Sequence, residues 1–331
     1  GTGPLWAVSH ILRGLRLTWL ALRSKPDVLY AFKPKAYAGL AALVFWLLRR
    51  VGASRATIVL DIDDWEGPGG WADREPGAWW ERCLIGWHER WCIDHADLIT
   101  AASRELVKLS RRDAGNVVYV PNAASISSPG WIQGRREDGR AILGVGSAPV
   151  ILAYTRFVEF SPERLLDTFA AILVEVPTAR LVVVGSGLHG EEVAFAAESS
   201  RRGLDDRVVS LGWTRSDDLP AVFAAADVAV YLMDDNLLNR AKCPMKLVDL
   251  LLAGVAVVAD RVGQASEYVA DGSTGLLVHA GNARSMAAAV SYLLRDEVLR
   301  ERIGSAARSA ILAGWNWSEQ TARIDQALRG I

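Results

Sequence analysis

Two clusters of side chains in this sequence have types and spacings that could do chemistry. The first is Lys242-Cys-Pro-Met-Lys246-Leu-Val-Asp249. Pro244 suits the start of a helix, because its fixed φ is helical and its missing N–H is not needed there. Lys246 and Asp249, three apart, then share one face near that start. A helix N-terminus draws anions through its free N–H groups and its dipole, and a lysine there strengthens a phosphate site. A carboxylate one turn later suits the paired hydroxyls of a ribose. The competing reading is a surface ion pair, worth at most about 1 kcal/mol. The second cluster is Asp61-Ile-Asp63-Asp64-Trp-Glu66, four acids in six positions. Burying unpaired carboxylates is costly, so these are not packing residues.

The elements that must position the clusters follow from periodicity. Met245, Leu247, Val248, Leu250, Leu251 and Leu252 give the first cluster an apolar helical face, and Gly254 ends that helix. Residues 255–259 are a continuous apolar run, the pattern of a parallel strand covered on both faces. Residues 57–60 form the strand that leads into the acidic cluster. Further strands are expected at 27–31, 98–100, 117–120, 150–154, 180–185, 208–211, 227–231 and 274–278. Helices are expected over 5–22, from Ala36, and over 77–94. In the last of these, Trp80, Leu84, Trp87 and Trp91 recur at helical spacing. A tryptophan stripe can stack on sugars, but this spacing predicts a core seam. Lys33 and Lys35 follow the strand at 27–31, at the end where open α/β sheets bind ligands, and could meet an anionic acceptor. The alternative is a pair of solvated loop lysines. Residues 125–148 are rich in Ser, Gly and charge and read as an inter-domain linker.

The first cluster resembles the donor-nucleotide motif of the family 4 glycosyltransferases, in its Lys-x-Pro-x-Lys-Leu-x-Glu version, with Lys242, Pro244, Lys246 and Leu247 in place. Asp249 stands where Glu is usual. Pro121-Asn122 resembles the family's Pro-Asn-Gly turn, with Ala123 in place of Gly. Arg156, after the strand at 150–154, stands where the family contacts the donor diphosphate, and Ser161 replaces a second cation. Residues 263–267 and 271–275 resemble two further turns of the family.

The resemblance implies the GT-B fold: two Rossmann-like parallel-sheet α/β domains facing across a cleft. The expected layout is an acceptor-side domain at 1–124, with fewer βα units than usual and so read as truncated at its start. A linker at 125–148 and a donor domain at 149–314 follow, and 315–331 would form a C-terminal helix crossing back to the first domain. The implied activity is transfer of a hexose from a nucleotide-diphosphate sugar with retention, without a metal or other cofactor. Arg156 and Lys246 would act on the leaving diphosphate. Gly185, Gly187, Trp213, Lys242, Asp249 and Glu267 would complete the donor site. Asp63 or Asp64 would position an acceptor hydroxyl, where the family often has a His-Asp pair, with Lys33, Lys35 and Asn122 beside them. The acceptor would be a sugar or a lipid-linked sugar. The alternatives are a non-catalytic nucleotide-sugar binder and a sugar-nucleotide epimerase.

Other chemistries fit less well. Asp61-x-Asp63 imitates the metal-binding pair of a different glycosyltransferase fold, which expects another donor-site layout. Gly185-Ser-Gly-Leu-His-Gly190 matches a dinucleotide fingerprint, but its acids, Asp205 and Asp206, precede the next strand instead of ending it. Cys83, Cys92 and Cys243 form no spaced set, and the five histidines are scattered. The 331 residues carry a net charge of −1. Nine Lys/Arg stand against one Asp through Ala56, a net +8, and the remainder carries −9. A basic N-terminal end suggests an anionic partner such as a membrane surface, on the cytoplasmic side, and no nucleic-acid motif accompanies it. The longest apolar run, residues 36–48, is shorter than the ~20 residues a membrane-spanning helix needs.

Overall fold

The computed structural model describes residues 4–34, 36–75, 78–110, 116–124 and 135–331. The chain forms two units. The first holds Gly1–Asn122, Asn236–Cys243 and Gln320–Ile331, and the second holds Ala123–Asp235 and Pro244–Glu319.

In chain order the first unit contains α1 (Pro4–Ser24), β1 (Val28–Phe32), α2 (Ala36–Arg50), β2 (Thr57–Ile62), α3 (Trp79–His95), β3 (Leu98–Ala101), α4 (Arg104–Ser110) and β4 (Asn116–Tyr119). The second adds α5 (Arg136–Leu143), β5 (Val150–Tyr154), α6 (Pro162–Glu175), β6 (Arg180–Val184), α7 (Glu191–Arg201), β7 (Val208–Gly212), α8 (Leu219–Ala225) and β8 (Val228–Tyr231). After α9 (Leu237–Ala241), which belongs to the first unit, come α10 (Met245–Leu252), β9 (Ala256–Asp260), α11 (Ala265–Tyr268), β10 (Leu276–Val278), α12 (Ala283–Arg295) and α13 (Glu297–Gly314), and then α14 (Trp317–Arg329), which belongs to the first unit from Gln320 onward.

The strands of the second unit pair in parallel in the order β10-β9-β8-β5-β6-β7. This is the doubly wound arrangement, with its reversal between β5 and β8, and ligands of such sheets sit outside the carboxyl ends of the strands at that reversal. β5, β8 and β9 are buried along almost their whole length, as their unbroken apolar sequences require. The first unit's sheet is also parallel, in the order β1-β2-β3-β4.

Two departures from the sequence reading have clear causes. The segment expected to be a linker is a docked helix from Arg136 onward. Asp227, placed just before β8, accepts hydrogen bonds from the Val150 N–H (2.7 Å) and from Arg136 (2.5 Å). Arg140 donates to the carbonyl oxygens of Gly146 (2.8 Å) and Ala225 (3.1 Å). These arginines satisfy the free carbonyls at the end of α8 and tie α5 to the sheet.

In α3 the expected seam faces outward. Trp80, Leu84 and Trp87 are exposed, while Glu89, Cys92 and Ile93 are buried. Trp91 packs edge-on to Trp46 and against His95. The inward face is set by a polar need. The loop after β2 has amides with no strand to pair with, and the Glu89 carboxylate accepts the N–H groups of Glu66 (2.9 Å) and Gly67 (2.8 Å). A Cβ at position 67 would lie 2.6 Å from Glu89 Oε2, so only glycine allows that approach.

Burial pushes the Glu89 carboxyl up to about 7, against the pull of those two amides. Its folded pKa therefore lies above the unfolded value, so its stabilising contribution is full below about pH 4.5 and is lost as pH rises through about 7. The amount at stake is on the order of 3 kcal/mol. We expect Glu89→Gln to lower the melting temperature clearly at pH 5.5 and much less at pH 8. Parallel temperature–pH curves for the two proteins would contradict this account of the loop.

Candidate functional site

The part of the first cluster from Pro244 onward belongs to the second unit, and its Lys246 sits at the reversal of that unit's sheet. Pro244 caps α10, whose Leu247, Val248 and Leu250–Leu252 are buried. That anchorage leaves Lys246 and Asp249 on the half-buried face. The Lys246 ammonium lies 5.2 Å from the centroid of the Tyr154 ring, at the end of β5. Burial pushes the Asp249 carboxyl up to about 7, with Lys246 pulling the other way. Burial and the Asp249 charge together push the Tyr154 hydroxyl up to about 12. Tyr154, Thr155, Glu159, Tyr231 and Lys246 line one crevice at the carboxyl ends of β5 and β8. The crevice thus offers a cation, and Asp249, one turn on in the same helix, adds a carboxylate whose charge reaches Tyr154.

The chain turns sharply beyond β5. Thr155 accepts the Phe157 N–H at 2.8 Å, and Phe157 adopts a φ of 61°. Arg156, between them, is exposed. Gly185 ends β6 at a φ of 120°, where a Cβ would lie 1.8 Å from the Thr155 carbonyl oxygen. The Gly187 and His189 N–H groups donate to Glu192 and Glu191, each at 2.7 Å. The glycine turn thus has its amides engaged by carboxylates of α7, where a dinucleotide fold would place a pyrophosphate. Trp213 follows β7 with its ring exposed, and Glu267 lies half-buried in α11, after β9.

A brace beside this site has no counterpart in the sequence reading. Asp260, at the end of β9, is 1% exposed and accepts the Met233 N–H at 2.7 Å. Arg164 pairs with Asp260 and, at 3.0 Å, with Asp234. Burial raises Asp260 to about 6, with Arg164 opposing it. An acid closing an otherwise apolar strand was the available signal; its partner Arg164 lies 96 residues away in sequence.

The second cluster lies at the carboxyl ends of β1 and β2 in the first unit. The Lys33 N–H donates to the Asp61 carbonyl at 2.9 Å, and its ammonium lies 3.1 Å from Asp63, 3.2 Å from Asp64 and 3.8 Å from Glu66. Lys33 therefore spends its charge on the acidic loop instead of standing as a cation for an acceptor. Asp61 accepts the Thr100 hydroxyl at 2.6 Å, and Thr100 is 2.9 Å from the Tyr30 hydroxyl. Burial raises both Asp61 and Asp63, and Asp64 raises Asp63 further. Among the described residues no group of three or more His, Cys, Asp or Glu side chains is arranged to hold a metal ion.

The remaining expected residues fall in different places. Asn122 donates its N–H to Cys243 Sγ at 3.1 Å. The Lys242 ammonium lies 5.0 Å from the centroid of the Trp71 ring, within the first unit. Lys242 and Lys246, four apart in one motif, thus belong to different units. Lys35 lies outside the described residues.

Comparison with known proteins gives these clusters a context. Residues 148–296 match the glycosyl transferases group 1 family. A GDP-mannose-dependent alpha-(1-6)-phosphatidylinositol monomannoside mannosyltransferase of Mycobacterium tuberculosis is 28% identical over 248 residues, 72% of this chain and 63% of its own length. A D-inositol 3-phosphate glycosyltransferase of Nocardia farcinica is 29% identical over 243 residues, 70% of this chain and 52% of its own. The chain thus spans less than two thirds of these curated relatives. Among solved structures, Anabaena Alr3699/HepE in complex with UDP and glucose superposes with a TM-score of 0.74 at 21% identity, covering 95% of this chain and 81% of that one. Sucrose-phosphate synthase of Thermosynechococcus elongatus gives 0.73 at 20% identity, over 96% and 76%. Residues 148–296 are thus similar to the group 1 glycosyltransferases, and the two parallel sheets share the fold of the GT-B glycosyltransferase structures.

Proposed function

We propose that the protein transfers a hexose from a nucleotide-diphosphate sugar to an acceptor hydroxyl, with retention and without a metal ion. The observation that carries this reading is Lys246 and Tyr154 lining the crevice at the sheet reversal, with the Asp249 carboxyl close enough for its charge to act on Tyr154 and to feel Lys246. When the sugar–phosphate bond breaks, negative charge grows on the leaving diphosphate. Lys246 and Arg156 oppose that charge, which is electrostatic catalysis by preplaced groups. Asp249 accepts from the ribose hydroxyls. Asp63 or Asp64 orients the acceptor hydroxyl. Gly185 and Gly187 keep the turn beside the donor close, and Trp213, Lys242, Glu267 and Asn122 remain candidates around it. The names of the relatives include GDP-mannose for one, and UDP accompanies a structural neighbour, so both bases belong in the donor panel.

Turnover of UDP- and GDP-sugars tests the reading. Lys246→Ala should lower kcat/KM by about 10²-fold, the usual effect of removing one transition-state donor, and a chelator should leave the rate unchanged. Undiminished turnover in Lys246→Ala would remove the donor assignment. Undiminished turnover in both Asp63→Asn and Asp64→Asn would remove the acceptor-side one.

We further infer that the acceptor is lipid-linked and that α1 meets an anionic membrane surface on the cytoplasmic side. No helix among the described residues is long and apolar enough to cross a membrane. Yet Leu12, Leu15, Trp19 and Leu20 of α1 are all half exposed or more. Arg13, Arg16 and Arg23 stand among them, no acid occurs in the helix, and the Arg23 guanidinium lies 4.6 Å from the Trp19 ring centroid. Apolar residues with interleaved arginines are the composition of a helix lying in a lipid interface. Sedimentation should show binding to phosphatidylglycerol vesicles, little to phosphatidylcholine, and loss in high salt. Equal or absent binding to both would overturn this part.

A further inference from the structure

Lys33 occupies a conformation that needs an explanation. Its φ is 64°, in the left-handed region that lysine rarely visits. Such a backbone persists only where the surroundings hold it, and here the Lys33 N–H bonded to the Asp61 carbonyl does so. The result is that one ammonium, 31% exposed, is aimed at carboxylates that the next strand brings to the same sheet end. We propose that Lys33 is the positioning residue of the acidic loop: its ammonium gathers Asp63, Asp64 and Glu66 and holds the Asp63–Asp64 pair in one orientation. The proposal rests on the reading that one of these two aspartates orients the acceptor hydroxyl.

Among the described residues, the charged groups acting on Lys33 are acids. Asp63, Asp64 and Glu66 come from the loop after β2, and Asp61 comes from the end of β2. Glu89 of α3 stands behind Glu66, holding its N–H, and the Tyr30 hydroxyl of β1 stands behind Asp61 through Thr100. Each of the acids Asp61, Asp63 and Glu89 is pushed upward by burial, and Lys33 opposes that shift for Asp61 and Asp63. Burial draws the Lys33 ammonium down, but Asp64, Asp63 and Glu66 outweigh it and leave it raised. Without that cation, burial and the Asp64 charge would push Asp63 up unopposed by Lys33.

The test compares Lys33→Met, which keeps the length and removes the charge, with Lys33→Arg, which keeps the charge. Carboxyl-carbon NMR titration of Asp63, assigned with Asp63→Asn, should show it moving up by about one pH unit in Lys33→Met and returning in Lys33→Arg. The acidic limb of kcat/KM should move by the same amount, with an acceptor-dependent loss of about tenfold at pH 6 that shrinks by pH 8. Nucleoside-diphosphate affinity should not change. Titration curves that coincide with wild type would overturn the proposal. A uniform activity loss with no movement of the acidic limb would assign Lys33 a purely structural part and would overturn it too. A carboxyl shift in Lys33→Met alongside a wild type that transfers no sugar would refute the functional reading and leave the role of Lys33 standing.

Discussion

Withdrawing a carboxylate from water is costly, and this structure does it repeatedly at places where the chain must be held. Glu89 and Asp260 are each 1% exposed. Each is compensated by backbone N–H groups, two for Glu89 and one for Asp260, and Asp260 also by a guanidinium. Glu89 fixes the loop that carries Asp63, Asp64 and Glu66. Asp260 fixes the crossing from β8 beside the crevice of Lys246. Neither touches a reacting atom in the proposed function. Both decide where the groups that would touch it stand, because an ionised or half-protonated acid accepts no arrangement that leaves it without donors.

Asp249 differs in kind. Its carboxyl is raised to about 7 by burial, with one nearby cation in Lys246. It is therefore poised between its two forms in the free protein, and a ligand that donates two hydroxyl hydrogen bonds would settle it as the anion. Glu89 is raised to a similar value, but two backbone amides hold it in place, whereas for Asp249 the force opposing burial is the Lys246 charge. This contrast, more than the presence of charge, separates the candidate ligand group from the acids around it.

Much of this was legible in the sequence. The unbroken apolar strands, the proline before α10 and the i, i+3 spacing of Lys246 and Asp249 are local signals, and the structure places those residues together. The acidic loop was legible as chemistry because no packing reason accounts for four acids in six positions. What was not legible depended on distant pairing. The apolar period of α3 marked a helix but not its inward face, which is chosen by Glu89 and two amides more than 20 residues earlier. The polar segment before β5 hid α5, because its arginines are satisfied by Asp227 and by carbonyls some 85 residues on. Lys33 looked like a free cation because the carboxylates that hold it lie on the next strand's loop. Arg164 carried no signal at all until β9 brought Asp260 to it.

The most direct measurement is calorimetric affinity for UDP and GDP at pH 6 and pH 8, in the wild type and in Asp249→Asn. The account predicts that one of the two binds, and that wild-type affinity rises by about tenfold more across this range than that of the variant, because only the wild type must ionise Asp249 to hold the ribose. Titration of the nucleotide itself is common to both proteins and cancels. No binding of either nucleotide, or the same pH dependence in both proteins, would contradict the assignment of the crevice at the sheet reversal as a nucleotide site.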